Sequence, residues 1–184
     1  MKKVVVLITT ILFVGFIACD SNDDKNNAPN NSGLGEINFT VTGEVEGDFS
    51  GMADFHHFEM MNSETWEISG NNYDPQTFSL QFMSGVVGDV AERPLPGIYT
   101  IGNTVKSDYK SIFTHIPNGS FSNSTEYSSI YGENSNSGTL TITTSNEETV
   151  NGSFEFTAYR VDNNLNIVGT IEATGEFTAN KRIN

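Results

Sequence analysis

Apolar and polar residues alternate with a period of two through most of the chain after residue 35. In the first such run, polar residues separate Ile37, Phe39 and Val41. Successive side chains of a β-strand point to opposite faces, so the alternation predicts strands that are buried on one face. The later apolar positions of the first half are Trp66, Ile68, Phe78, Leu80 and Phe82. The pattern places three polar residues on the solvent side of the second run: Thr65, Glu67 and Ser69.

The last third of the chain has the clearest alternation, and its parity predicts how the strands pair. Turns are predicted at residues 145–148 and 162–166, where Asn, Asp, Ser and Glu interrupt the apolar positions. A slip of one residue would move every side chain to the wrong face. We therefore predict two facing pairs, Leu140 with Phe154 and Phe156 with Ala173. The outer face should carry two solvated rows, namely Thr139, Glu155 and Thr174, and Thr141, Ser153 and Glu176.

The middle of the chain, residues 85–136, is the least regular part. It should hold only short strands, at residues 98–101, 111–116 and 126–131, and a turn at Asp74-Pro75 precedes it. No helical stripe with a 3.6-residue period persists anywhere in the sequence. The expected fold is all-β, an antiparallel β-sandwich of about eight to ten strands. A closed up-and-down β-barrel is the alternative, because neighbouring antiparallel strands build both architectures.

A Gly-x-Phe unit recurs four times along the predicted domain. Its copies are Gly47-Asp48-Phe49, Gly119-Ser120-Phe121, Gly152-Ser153-Phe154 and Gly175-Glu176-Phe177. We expect the glycine to permit a bulge or a close backbone approach, and the phenylalanine to pack inward.

The chain begins with features of a secretory signal. Lys2 and Lys3 precede a 14-residue apolar segment at residues 4–17, and the small residue Ala18 follows it. A transmembrane helix needs about 20 apolar residues, so this segment is too short to be one. A charged start, a short apolar segment and a small residue at the break are typical of a cleaved secretory leader.

The end of this leader resembles the lipobox of bacterial lipoproteins. The motif is Phe16-Ile17-Ala18-Cys19, with Phe16 where leucine is usual, and Cys19 is the only cysteine of the chain. The resemblance implies that residues 1–18 are a lipoprotein signal peptide and that Cys19 is lipidated. The implied partner is a membrane, reached through lipid on Cys19. With that thiol consumed, none remains for a disulfide or a metal.

Residues 19–35 should form the lipidated cysteine and a disordered tether. Asn, Asp and Ser dominate this segment, which has too little apolar surface to offset the entropy of ordering. Asp23-Asp24 is similar to the export signal of surface-exposed lipoproteins in Bacteroidota, and a plain soluble spacer is the alternative. The implied location is the bacterial cell envelope, on the outer membrane, facing either the periplasm or the surface. Residues 36–184 then form a single all-β domain.

Charge excludes one class of partner. Without Lys2 and Lys3, seven basic residues remain against 23 acidic ones, so the mature net charge is −16. Nucleic-acid binding requires clustered Lys and Arg, so we expect no nucleic-acid partner. A chain this acidic is soluble and attracts basic groups.

Three constellations could carry chemistry, and each has a plainer interpretation. Asp54 and His56 share a strand face, as His57 and Glu59 do, but two ligands per face do not complete a metal site. Glu44 and Glu46 have the separation of a glycosidase pair, as any E-x-E strand does. Residues 162–166 imitate an EF-hand loop without its glycine and final glutamate, which favours a hairpin turn. We therefore predict no catalytic residue, metal or cofactor.

Three segments of the last third carry a second resemblance. Residues 137–143, 150–158 and 173–179 read SGTLTIT, VNGSFEFTA and ATGEFTA. They resemble small β-rich lipoproteins of Bacteroidota, a family with no established activity to carry over. The resemblance implies location and fold class.

The sequence predicts an anchored, non-enzymatic binding or accessory module. Its partner would be a glycan, a small ligand or an envelope protein. The competing classes are an envelope hydrolase acting on glycans and a structural or adhesive surface protein. The inner face is filled by apolar residues and the outer one is solvated, so neither should leave room for a ligand. We therefore expect binding in the loops of residues 85–136, on an exposed rim of Tyr109, Tyr127 and Tyr131.

Overall fold

The computed structural model describes residues 35–60, 63–84, 93–103, 107–132 and 136–182. These residues belong to one compact unit, Asn31–Asn184. The predicted signal peptide, Cys19 and the tether up to residue 34 lie outside the described residues. Within the described ranges, no helix is long and apolar enough to cross a membrane.

The described chain is built from ten β-strands, which confirms the predicted all-β class and the strand count. The strands are β1 (Glu36–Gly43), β2 (Gly47–Met60), β3 (Ser63–Asn71), β4 (Phe78–Ser84), β5 (Gly97–Ile101), β6 (Tyr109–His115), β7 (Thr125–Ser128), β8 (Gly138–Ser145), β9 (Thr149–Val161) and β10 (Ile167–Lys181). Short 3₁₀ turns occur at Pro117–Gly119, Phe121–Asn123 and Ser129–Tyr131. The last of these replaces the end of the strand that we predicted up to residue 131.

The strands form one mixed sheet whose pairings close in a ring. Strand β1 pairs with β10 and β2, and the sheet continues through β3, β4, β6, β5, β8 and β9 back to β10. Strand β7 lies between β6 and β9. Most pairs are antiparallel. The parallel contacts among the described strands are short: Asp54 and Phe55 of β2 lie beside the end of β10, and Ile101 pairs with Tyr109.

The predicted register of the last three strands is confirmed. Leu140 faces Phe154, and Phe156 faces Ala173. In the outer rows, Glu155 pairs with Thr139 and Thr174, and Ser153 pairs with Thr141 and Glu176. The turns after β8 and β9 lie at residues 146–148 and 162–166, as the interruptions in the alternation predicted.

Aromatic side chains fill the interior of the ring. The ring of Phe39 lies 5.1 Å from that of Phe78 and 5.9 Å from those of Phe113 and Phe154, measured between centroids. Phe82 packs on Phe154 at 4.8 Å. Rings in tilted and edge-to-face contact bury large apolar areas, so this cluster is the main source of stability.

The Gly-x-Phe prediction is right for two copies and wrong for one. In the copy at residues 47–49, Phe49 packs against the core as predicted, but a Cβ on Gly47 would meet only ordinary contacts, so the glycine permits no close approach there. Phe154 and Phe177 are buried. A Cβ built on Gly152 would lie 2.8 Å from the Phe177 ring, and one on Gly175 would lie 2.3 Å from Phe39 Cβ, so both glycines permit a close approach. Phe121 is 62% exposed instead, because its copy lies in the 3₁₀ turns outside the sheet.

The outward positions of β3 correct a second prediction. Thr65, Glu67 and Ser69 are buried and do not face solvent. The end of β10 runs parallel to β2, and Arg182, the next residue, reaches Ser69 from there. The amide of Gln81 contacts Glu67 at 3.4 Å from β4.

Candidate functional site

The outward side chains of five neighbouring strands form a continuous polar surface, which we call the outer face. It runs from the first half of β2 through β1, β10 and β9 to β8, about 20 Å across at the usual strand spacing. Its rows extend the two predicted ones. Thr174 pairs with Thr40, which pairs with Asp48, and Glu176 pairs with Asn38, which pairs with Ser50.

The outer face carries shallow, open depressions, although we expected neither face to leave room for a ligand. A depression with a volume of about 520 Å³, the outer groove, lies over β2, β1 and β10. The polar side chains around it are Asn38, Thr40, Asp48, Ser50, Ser153, Thr174 and Glu176. A second depression of about 420 Å³ adjoins it and shares Asn38, Ser153 and Glu176.

The outer groove offers hydrogen-bonding groups with a negative charge. Thr40 donates a hydrogen bond to Asp48 Oδ1 at 2.6 Å, which holds that carboxylate in place. Asn38 and Glu176 are exposed partners across neighbouring strands. The charged residues among the groove's described lining are acidic, namely Asp48 and Glu176. The groove is therefore suited to a ligand with hydroxyl or amine groups.

Two of the three predicted rim tyrosines are buried, so the exposed tyrosine rim is wrong. Tyr109 and Tyr127 belong to the core, while Tyr131 is partly exposed. Tyr109 stacks edge-on against Tyr99 at 5.4 Å and Tyr127 packs against Phe113 at 6.3 Å. Burial raises the pKa of both buried phenols. Both tyrosines occupy inward-facing positions of their strands, β6 and β7. The sequence around them is too irregular to indicate which positions face inward.

Glu44, one member of the glycosidase-like pair, is engaged by other side chains. Arg160 binds its carboxylate in a fork, with Nε 3.1 Å from Oε2. The hydrogen bond from Arg160 is the main reason that the pKa of Glu44 is lowered. Glu44 therefore acts as a structural ion-pair partner at the end of the sheet.

Asp54 and His56, which we predicted to share a strand face, belong to a polar cluster with Ser69 and Arg182. The sequence analysis did not predict that Ser69 and Arg182 join them. Arg182 Nη2 lies 2.7 Å from Asp54 Oδ1 and donates to Ser69 Oγ at 3.0 Å, and Ser69 donates to Asp54 at 3.0 Å. Arg182 Nη1 lies 3.2 Å from His56 Nε2. Arg182 is distant in sequence and had no pattern to indicate its role.

The geometry of this cluster does not fit nucleophilic catalysis. A serine nucleophile needs its hydroxyl on the base histidine, but Ser69 donates to Asp54. The Nε2 atom of His56 faces Arg182. Among the described residues, no three His, Cys, Asp or Glu side chains come together as a metal site would require. The cluster therefore ties the chain end to the sheet.

His56 should make stability fall in mild acid. Burial and, next, the charge of Arg182 lower its pKa, against smaller opposing effects of Glu67 and Asp54. The unfolded imidazole takes up a proton near pH 6.5, whereas the folded one resists it. The stabilisation is therefore complete above pH 6.5 and is lost as pH falls through the folded pKa.

We expect His56→Gln to flatten this fall, measured by urea unfolding at pH 7.5 and 5.5. His115→Gln is the comparison variant: burial alone lowers the pKa of His115, so it should also flatten the fall, but without the part that the Arg182 charge contributes at His56. An unchanged pH dependence in His56→Gln would contradict the assignment.

The EF-hand-like segment is a hairpin turn. Asp162 Oδ1 accepts hydrogen bonds from the backbone N–H of Asn164 at 2.8 Å and of Asn166 at 2.9 Å. The carboxylate is therefore used inside the turn, as the plainer interpretation predicted.

Comparisons with known proteins found no relative of this chain. No family model matches it, and no curated protein and no solved structure matches it significantly.

Proposed function

We propose that this protein is a membrane-anchored, non-enzymatic module that binds a glycan in the outer groove. The observation that carries the proposal is the groove itself, an open depression of about 520 Å³ edged by polar side chains of the sheet. This volume is within the range of about 300–1,000 Å³ that is usual for ligand sites. The anchoring part rests on the lipobox resemblance at Cys19.

The chemistry of the groove favours a sugar over a protein. Sugar hydroxyls both donate and accept hydrogen bonds, and Asn38, Asp48 and Glu176 offer matching groups on neighbouring strands. Protein interfaces depend on large aromatic or arginine anchors, whereas the outward residues that line the two depressions are Thr, Ser, Asn, Asp and Glu. The carboxylates repel anionic chains, so the ligand should be a neutral or amine-bearing glycan.

The test is binding of the unit Asn31–Asn184 to neutral, amine-bearing and sulfated glycans. Asn38→Ala and Glu176→Ala should each weaken binding of the best neutral glycan about tenfold, since a hydrogen bond to a charged or polar partner contributes about 1.5 kcal/mol. Both side chains are exposed, so the fold should not change.

Glu126→Ala is the matched control, because this exposed carboxylate lies on β7, away from the groove. It should leave binding unchanged. Preference for sulfated glycans, or equal losses in Glu126→Ala and Glu176→Ala, would rule out the groove as the site.

A further inference from the structure

The turn between β9 and β10 presents an apolar tip. Leu165 is 72% exposed, Ile167 42% and Val168 46%. These three side chains lie within four consecutive residues at the end of the longest hairpin of the sheet, beyond the last core pair of Ala158 and Ile171. We call residues 163–168 the β9–β10 tip.

Leu165 occupies a backbone conformation that favours other residues. Its φ is +65°, in the left-handed region, where Gly and Asn are readily accommodated. Leu165 N–H donates to Asp162 O at 3.0 Å, so the turn imposes this conformation. The left-handed position is occupied by Leu165, although the neighbouring residues 163, 164 and 166 are all asparagine, which suits that conformation better. The fold gains nothing from an exposed leucine there, which points to a contact outside the chain.

The tip, residues 163–168, contains no charged residue, and Asp162, next to it in the chain, keeps its negative charge. The carboxylate of Asp162 is held by the Asn164 and Asn166 amides, and Arg160 is paired with Glu44. The neutrality of residues 163–168 is local, in a chain of net charge −14. Three aliphatic side chains are also far too few for a stable protein interface, which needs about 1,000 Å².

We propose that the β9–β10 tip contacts the surface of a lipid bilayer, with Leu165, Ile167 and Val168 in the acyl boundary and the Asn amides at the headgroups. The proposal rests on the anchored part of the proposed function. Three aliphatic side chains bind a bilayer weakly by themselves, but anchoring raises their effective concentration at the surface. Residues 20–35 span about 50 Å when extended, so the tether is long enough to let the tip reach the membrane.

The test attaches residues 20–184, which keep the tether and the whole described core, to phosphatidylcholine vesicles through an N-terminal histidine tag and a nickel-chelating lipid. This replaces Cys19 as the anchor. An environment-sensitive NBD label on Asn163→Cys reports on the tip and leaves Leu165 in place. The matched control label is on Glu147→Cys, an exposed site in the turn at the other end of β9.

We expect NBD emission to rise at least twofold and shift to the blue at position 163 on the vesicles, and to stay unchanged at position 147. Adding Leu165→Asn to the 163 label should abolish most of the rise. This variant keeps a residue suited to the left-handed conformation, so the fold is retained, and urea unfolding checks this.

Emission at position 163 that matches position 147, or that survives Leu165→Asn, would overturn the proposal. So would an unchanged label on vesicles together with a Leu165-dependent crosslink from position 163 to an envelope protein. The outcome is separate from the proposed glycan site, whose assay contains no vesicles. Membrane fractionation of a Cys19→Ala variant tests the anchor by itself.

Discussion

Replacing Phe154 with alanine is expected to destabilise the protein by about 3–5 kcal/mol, the usual loss for a buried phenylalanine. Phe154 is 3% exposed. Its ring lies 4.8 Å from the ring of Phe82 and 5.9 Å from those of Phe39 and Phe156. Alanine would remove the central member of this cluster and leave a cavity that the close-packed rings cannot fill. Urea unfolding measures the effect as a lower midpoint.

Glu155→Ala provides the matched control for Phe154→Ala. Glu155 is the next residue of β9, is exposed on the outer face and pairs with Thr139 and Thr174. Its loss should change the free energy of unfolding by less than about 0.5 kcal/mol. Similar losses at positions 154 and 155 would mean that the assigned faces are wrong.

Removing Arg182 is expected to cost about 2–3 kcal/mol, although it lies at the end of the described chain. The Asp54 side chain is only 7% exposed and receives the Arg182 guanidinium at 2.7 Å. Removing one partner leaves a buried charge without compensation, which usually costs about 3–5 kcal/mol. Because the Arg182 side chain is 39% exposed, water replaces part of the interaction, and the expected loss is smaller.

Two further variants separate this ion pair from general fraying of the chain end. Lys181→Ala changes the exposed neighbour and should have little effect. Asp54→Asn, added to Arg182→Ala, removes the buried charge and should restore part of the lost stability in a double-mutant cycle. Equal losses in Lys181→Ala and Arg182→Ala, or no coupling in the cycle, would show that Arg182 does not stabilise Asp54.

Local alternation predicted those features of the fold that depend on one strand and its sequence neighbours. The pairs Leu140 with Phe154 and Phe156 with Ala173 followed from parity, because the β8–β9 and β9–β10 turns are short and a slip would expose the apolar face. The outer rows around Ser153 and Glu155 followed in the same way. For the candidate groove, the sequence predicted the solvated polar residues of the outer face but not the depression between them.

The tyrosines show where sequence reasoning failed. Tyr109 and Tyr127 lie among Gly, Ser and Asn in short strands, so no alternating run long enough to define a face surrounds them. Their burial depends on β6 and β7 closing the ring against β4 and β9, which are distant in sequence.

The sequence by itself determined the all-β class, the register of β8, β9 and β10 and the polar character of the outer face, because these depend on period-two alternation and short turns. Only the tertiary structure decided how the ring closes, which tyrosines it buries, and that Asp48 and Glu176 line one groove. It also decided that Arg182 neutralises Asp54. The physical reason is that these contacts join segments far apart in the chain, and their free energy comes from burial and pairing that no local pattern encodes.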